Sequence, residues 1–187
     1  MIAFEALYRH DPDPWRYRDS PDERARHGDI VRACGSGPFA AALELGGSIG
    51  ELTALIAPRC RVVETIDASP TAVALARHRL SSTVGCRVHV TQGVIPRDLP
   101  RGPFDLVVAA DVLHHLSARD LLATLEALRA RTRRGARIVA VHRVGSASGC
   151  RPLSAALIHR RLRALSWLAS IERHDRGAYL IDALERR

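Results

Sequence analysis

The chain has 187 residues, 47% hydrophobic and only 4% aromatic, which suits one large domain with a core of Ala, Val, Leu and Ile. Its formal net charge is +8, and every basic residue behind that figure is an arginine, so charge alone is a weak argument for a nucleic-acid partner. Lysine is absent, which excludes a Walker phosphate loop; no apolar stretch is long enough to span a membrane; and "MIAFEALYRHD" reaches charged residues too soon for a signal peptide. Cys34, Cys60, Cys86 and Cys150 form no C-x-x-C pair, suggest no metal site, and read as small buried residues in a reducing cytoplasm.

The first segment is Pro-rich and aromatic, and "DPDPW" forbids regular helix through Pro12 and Pro14. Ser20, Pro21, Asp22 and Glu23 then have the composition of a helix cap, first turn and acidic start, predicting a helix over 21–34. A "GSGP" turn follows. "FAAALEL" (39–45) reads as a buried strand, "IGELTALIAPRC" as a helix stopped by Pro58, and "RVVETID" (61–67) as a second strand. Ser69 and Pro70 open a helix over 70–80. "CRVHVTQG" and "FDLVVAAD" give a third and fourth strand, "SARDLLATLEALRARTRRG" a helix ending at Gly135, and "ARIVAVHR" a fifth strand. Alternating strands and helices predict a doubly wound, mostly parallel sheet with helices on both faces. At the end, "SWLASIERHD" and "GAYLIDALER" flank a "DRG" turn and predict an antiparallel hairpin.

In such a sheet ligands bind beyond the carboxyl ends of the strands, where the first strand turns into its helix. "ELGGSIG" sits there, with Glu44 ending the strand and Gly46, Gly47 and Gly50 in the turn. Glycine permits close approach of the main chain, and a helix start offers free N–H groups to negative charge. A dinucleotide G-x-G-x-x-G begun at Gly46 fails at Ser48 and Glu51. What remains is Glu44, the bare turn, and Asp67 ending the second strand, where an acid can accept from both hydroxyls of a ribose. The set suits an adenosine ligand without a pyrophosphate.

Here the sequence resembles the class I S-adenosylmethionine-dependent methyltransferases, whose first motif is [DE]-x-G-x-G-x-G. "ELGGSIG" matches it apart from Ser48, and "RVVETID", "FDLVVAADVLHHL" and "RRGARIVAVH" resemble their later motifs. "FEALYRHDPDPWRYRDSPDERARH" with "LELGGSIGELTALIAPRC" and "RHDRGAYLIDALER" is similar to the nodulation protein S type of N-methyltransferases, in which a serine at position 48 is expected. Asp22 stands where that family has an aromatic, Gly47 replaces its cysteine, and His114 and His115 replace two tyrosines.

The resemblance implies a Rossmann-like, seven-stranded α/β/α fold forming one domain over 1–187. It has an N-terminal cap (1–35), a cofactor core (39–142), and a loop, helix and hairpin (143–187) that shape the substrate side. It implies S-adenosyl-L-methionine as cofactor, with S-adenosyl-L-homocysteine as product. Trp15 and Arg24 would cap the cofactor, and Glu44, Gly46, Gly47, Ser48 and Gly50 would form its turn. Asp67 and Ala68 would meet its ribose, and Gly93, Val94, Ile95 and Ala110 its base and rim.

Methyl transfer needs chiefly a nucleophile held in line, plus a base when the nucleophile arrives protonated. Asp111, His114, His115 and His142 follow the fourth and fifth strands at their carboxyl ends, and Asp111, His115 and His142 are the candidate catalytic groups. "ADVLHH" replaces the N-P-P-Y motif common in enzymes that methylate base amines, and the "RARTRRGAR" run reads as a solvated helix end. Both argue for a small-molecule acceptor and against nucleic acid; no membrane partner is expected, and the chain is expected to be a monomer or homodimer. An RNA methyltransferase and a non-catalytic member of the fold stay open beside it. Choice of acceptor is expected to rest on the cap and the 145–154 loop.

Overall fold

The computed structural model describes residues 2–145 and 153–187. Five strands run parallel: β1 (Ala42–Leu45), β2 (Val62–Asp67), β3 (Arg87–Gln92), β4 (Phe104–Ala110) and β5 (Thr132–Arg143). The hairpin of β6 (Leu168–Asp175) and β7 (Tyr179–Arg186) completes a seven-stranded sheet of order β3-β2-β1-β4-β5-β7-β6, with β7 antiparallel to both neighbours. The reversal of winding falls between β1 and β4, so their carboxyl ends form the crevice where this architecture takes a ligand.

Alternation along the buried strands sorts the core into two layers. Leu43, Val107, Ile138 and Leu184 pack beneath α5 (Ala118–Arg131) and α6 (Ala155–Arg163). Ala42, Leu106, Val139 and Ile181 pack beneath α2 (Pro21–Cys34) and α3 (Glu51–Ile56). α4 (Pro70–Leu80) covers the β2/β3 edge. Ser20, Ser69, Ser117 and Ser154 each accept a hydrogen bond from a main-chain N–H of the helix they open, satisfying donors that would otherwise be orphaned.

Two predicted boundaries are corrected, the start of β1 and the end of α5, and two features are new, the 93–103 link and a helix before Pro12. β1 begins at Ala42, because Phe39 makes only an isolated bridge to Cys60 while Asp105 accepts from the N–H groups of Ala40 and Ala41. No helix joins β3 to β4; residues 93–103 return across the sheet as turns and irregular chain. α5 ends at Arg131, not Gly135: Thr132 pairs with Phe104, and Gly135 lies inside β5 with φ of 78° beside a register shift. The N-terminal segment holds a helix, α1 (Ile2–His10), before the prolines. Its acidic Glu5 accepts from Ser69 Oγ at 2.7 Å, Thr71 Oγ1 at 2.7 Å and Thr71 N–H at 3.2 Å, tying α1 to the start of α4. Cys34 and Cys60 are buried, as read from the sequence, whereas Cys86 is partly exposed; Cys150 and residues 146–152 lie outside the described residues. Among the described residues no helix is long and apolar enough to cross a membrane.

Candidate active site

The turn after β1 is bare for reasons internal to the protein. Gly46 and Gly50 have φ of 72° and 82°, in the left-handed region. Gly47 is excluded from bearing a side chain by packing, since a Cβ there would lie 1.9 Å from Thr65 Oγ1. That hydroxyl is fixed because Thr65 donates to Glu44 Oε2 at 3.2 Å, and Thr53 of α3 donates to the same oxygen. Glu44 is therefore the buried post of the turn. Burial pushes its carboxyl up to about 7, against the opposing hydrogen bonds from Thr53 and Thr65 and with help from the charge of Asp67.

Asp67 ends β2 and closes the other side of the turn. Its Oδ2 accepts from the Ser48 N–H at 2.9 Å and its Oδ1 from the Ser69 N–H at 2.9 Å. A carboxylate has about four acceptor sites, so capacity for a further hydroxyl remains. Burial raises its pKa, opposed by main-chain N–H groups of Ser69, Ser48 and Ala68. Ser48 has φ of 50°, which explains why the general motif places glycine at this position. Its hydroxyl lies 2.5 Å from Tyr8 Oη, and Trp15 Nε1 donates to that same phenol at 3.2 Å. Trp15, 38% exposed, thus holds α1 over the turn.

The arginine that α2 turns toward the strand ends is Arg26, not Arg24. Arg24 is exposed and donates to the carbonyl of Arg18 at 3.0 Å. Arg26 is buried, pairs with Glu23 at 2.7 Å and donates to Asp111 Oδ2 at 2.6 Å. Asp111 Oδ1 accepts from the Arg143 N–H at 2.8 Å, and the Arg143 side chain pairs with Glu23. Both carboxylate oxygens of Asp111 are thereby engaged, and its φ is 50°. An acid so bound is an anchor between α2, β4 and β5.

Beyond β3, a Cβ on Gly93 would lie 2.7 Å from the Cβ of Asp98. The Val94 N–H, expected to face a base, donates instead to Asp98 Oδ2 at 2.9 Å. Ile95 packs against the α5/α6 core layer and Ala110 against the α2/α3 layer. Asp98 itself pairs with Arg97; that hydrogen bond, and the one from Val94, hold its carboxyl down at about 2.

His114 and His115 lie in a short 3-10 turn after β4, with their Nε2 atoms 3.0 Å apart. His115, half-buried, meets the ring of Phe4 edge-on at 4.7 Å between centroids. His142, at the end of β5, is fully buried; its ring stands edge-on to His114 with centroids 5.3 Å apart. Its Nδ1 lies 3.1 Å from Nε2 of His159 on α6, whose Nδ1 lies 2.9 Å from Asp182 Oδ2 on β7. The fold therefore brings four histidines, His115, His114, His142 and His159, together near the carboxyl ends of β4 and β5, with Asp182 behind His159.

The profile of the methyltransferase domain family matches residues 43–138, just over half of the chain. The chain belongs to that family. It is 36% identical over 107 residues to nodulation protein S of Rhizobium tropici, covering 56% of this chain and 43% of that protein. The same protein of Sinorhizobium fredii gives 36% over 107 residues, covering 56% and 48%. The chain thus spans about half the length of the curated relatives it matches. The structure of N-methyltransferase NodS from Bradyrhizobium japonicum, in complex with S-adenosyl-L-homocysteine, superimposes with a TM-score of 0.82 at 23% identity, over 99% of this chain and 97% of that one. A methyltransferase-type structure from Pseudomonas syringae superimposes with a TM-score of 0.74 at 30% identity, over 89% and 99%. These likenesses fix the Rossmann-like α/β/α fold with its terminal hairpin.

Within this methyltransferase domain, sequence reasoning missed Tyr8, Arg26, Asp98, His159 and Asp182. Arg26 carried a signal, since it falls three residues after Glu23 on one helix face. Asp182 and His159 carried none, because strand β7 and helix α6 meet only in three dimensions.

Proposed function

We propose that the protein transfers a methyl group from S-adenosyl-L-methionine to a nitrogen or oxygen of a small molecule. The observation that supports this best is the Asp67 carboxylate, which ends β2 beside the bare 46–47 turn and is anchored there by the main-chain N–H groups of Ser48 and Ser69. Bound there, the cofactor supplies an already activated methyl group. Asp67 accepts from the ribose hydroxyls, Glu44 and Thr65 hold the turn in shape, and Gly93, Val94 and Ile95 border the base. α1, with Tyr8 and Trp15, caps the site.

The residues' main contribution is position, and an in-line arrangement is worth roughly 7–11 kcal/mol of the barrier. His115 and His142 stand on the acceptor side and take the released proton, whereas Asp111 aligns α2 with β4 and β5. "ADVLHH" in place of an N-P-P-Y motif supports a free small molecule in the cytoplasm over nucleic acid. The relatives' printed function, N-methyltransfer by NodS, supports an amine acceptor. Screening amines and alcohols for S-adenosyl-L-homocysteine release tests the proposal. Turnover with amines supports it, and release no faster than without acceptor across both classes overturns it.

A further inference from the structure

The β7/β6 end of the sheet carries a second opening, separate from the crevice between β1 and β4. His159, Arg160 and Arg163 of α6, Arg173 of β6 and Leu180 of β7 stand in the wall of a cavity of about 300 Å³. Arg160 and Arg163 are three positions apart and share one face of the helix. Arg173 pairs directly across the hairpin with Asp182, so its side chain leaves the sheet on the face that α6 covers. Three guanidinium groups thus line one space.

Behind that wall stands one buried carboxylate. Asp182 is wholly buried in β7 and accepts from His159 Nδ1 at 2.9 Å and from Arg163 Nη1 at 2.6 Å, both through Oδ2. Burial acts to raise its pKa, but the hydrogen bonds and charges of His159 and Arg163 outweigh it and hold the carboxyl below its ordinary value, so the group is an anion. That anion fixes Arg163 at the cavity wall, and the remaining N–H donors of Arg163 have no acceptor among the described residues. Arg160 and Arg173 are exposed, and neither side chain has an acidic partner among the described residues. The acids of β6 are engaged elsewhere: Glu172 pairs with Arg137 and His174, and Asp175 accepts from the Gly177 N–H at 2.9 Å. The charges of Arg160 and Arg173 are therefore unmatched.

We propose that this cavity binds an oxyanion, the phosphate, sulfate or carboxylate group of a small ligand, between Arg160, Arg163 and Arg173. Unmatched guanidinium groups around one space repel each other, and an anion between them converts that repulsion into attraction. A guanidinium donates in a planar fork that fits two oxygens of such a group, an advantage a point charge lacks. Arg163 is held in place before any ligand arrives, so it loses less conformational freedom on binding than an untethered side chain would. Arg160 and Arg173 reach the same ligand from α6 and β6. The volume is at the small end for ligand sites, which matches an anionic group on a short stem. His159 links this wall to the acceptor side of the crevice, since its Nε2 lies 3.1 Å from His142 Nδ1 at the end of β5. The oxyanion is accordingly either the anionic group of the methyl acceptor, which rests on the methyl-transfer reading, or a free anion, which does not.

The test is titration of the full chain with inorganic phosphate at low ionic strength, read by calorimetry and by the arginine Nε–H signals in NMR, and it needs neither cofactor nor acceptor. One-site binding with shifts concentrated at Arg160, Arg163 and Arg173 is expected. Arg160→Gln and Arg173→Gln should each weaken it about fivefold or more, whereas Arg129→Gln, which removes the same charge from the exposed face of α5, should change it less than about twofold. Absence of saturable binding, shifts spread evenly over the arginines, or equal weakening by all three variants overturns the site. If a wall variant does not fold, the wild-type shifts decide. Turnover then identifies the source. A KM about tenfold or more lower for amines that carry a phosphate, sulfate or carboxylate group than for their counterparts without it, with the advantage lost in Arg173→Gln, places the group on the acceptor. Equal KM values with phosphate binding intact assign the site to a free anion. Failure to methylate any amine or alcohol sinks the methyl-transfer reading instead, and the phosphate titration tells the two failures apart.

Discussion

Arg26 Nη1 lies 2.6 Å from Asp111 Oδ2, and this pair joins helix α2 to the turn that follows β4. Asp111 adopts φ of 50° there, a conformation that asparagine tolerates and alanine does not. Removing the guanidinium leaves two acids, Glu23 and Asp111, with only Arg143 between them. We expect Arg26→Met to lose about 3–5 kcal/mol in denaturant unfolding. Asp111→Asn should cost less than Asp111→Ala in the same measurement, and the reverse order contradicts the backbone argument.

On the proposed function, Asp67 is the group that meets the ribose of the cofactor. Asp67→Ala removes a charged acceptor and the latch on the Ser48 N–H, and should weaken S-adenosylmethionine binding by about 1.5–3 kcal/mol. Calorimetry checks this, and unchanged affinity removes the ribose assignment.

Gly47 and Thr65 form a pair that one side chain would overfill. Gly47→Ala places a methyl 1.9 Å from the Thr65 hydroxyl oxygen, so it should destabilise by about 1–3 kcal/mol. Thr65→Ala opens the space, and the double variant should be more stable than the sum of the single losses predicts. Strict additivity in thermal unfolding would show that the turn is bare for another reason.

Glu44 makes stability depend on pH. Its carboxyl titrates at about 7 in the fold against an ordinary value of 4.5, so between these the folded state binds more protons than the unfolded chain. Stability therefore falls as pH rises through that window, by roughly 3 kcal/mol in all, and stays low above it. Glu44→Gln should remove the slope and raise the melting temperature at about pH 8 relative to the wild type. A wild-type melting temperature that rises from about pH 5 to about pH 7, with no contribution removed by Glu44→Gln, contradicts the assignment.

The sheet was legible because its buried strands are short apolar runs and three of the helix starts are written locally as Ser-Pro or Ser with an acid. The glycine turn and Asp67 were legible because they lie at strand ends, where topology places ligands. What escaped depends on distant partners. α1 is only nine residues long and is held by Ser69 and Thr71, more than sixty positions away. Gly135 has the look of a helix stop, but the pairing of Thr132 with Phe104 draws the chain into β5 first. Arg24 and Arg26 sit two positions apart on α2 and so on nearly opposite faces, and tertiary packing of the helix decides which face turns to Asp111.

Calorimetric titration of the purified protein with S-adenosylmethionine, S-adenosylhomocysteine and NAD tests the central claim most directly. One-site binding of both sulfur ligands with none of NAD is the predicted result. Binding of neither sulfur ligand would contradict it and leave the glycine turn as architecture.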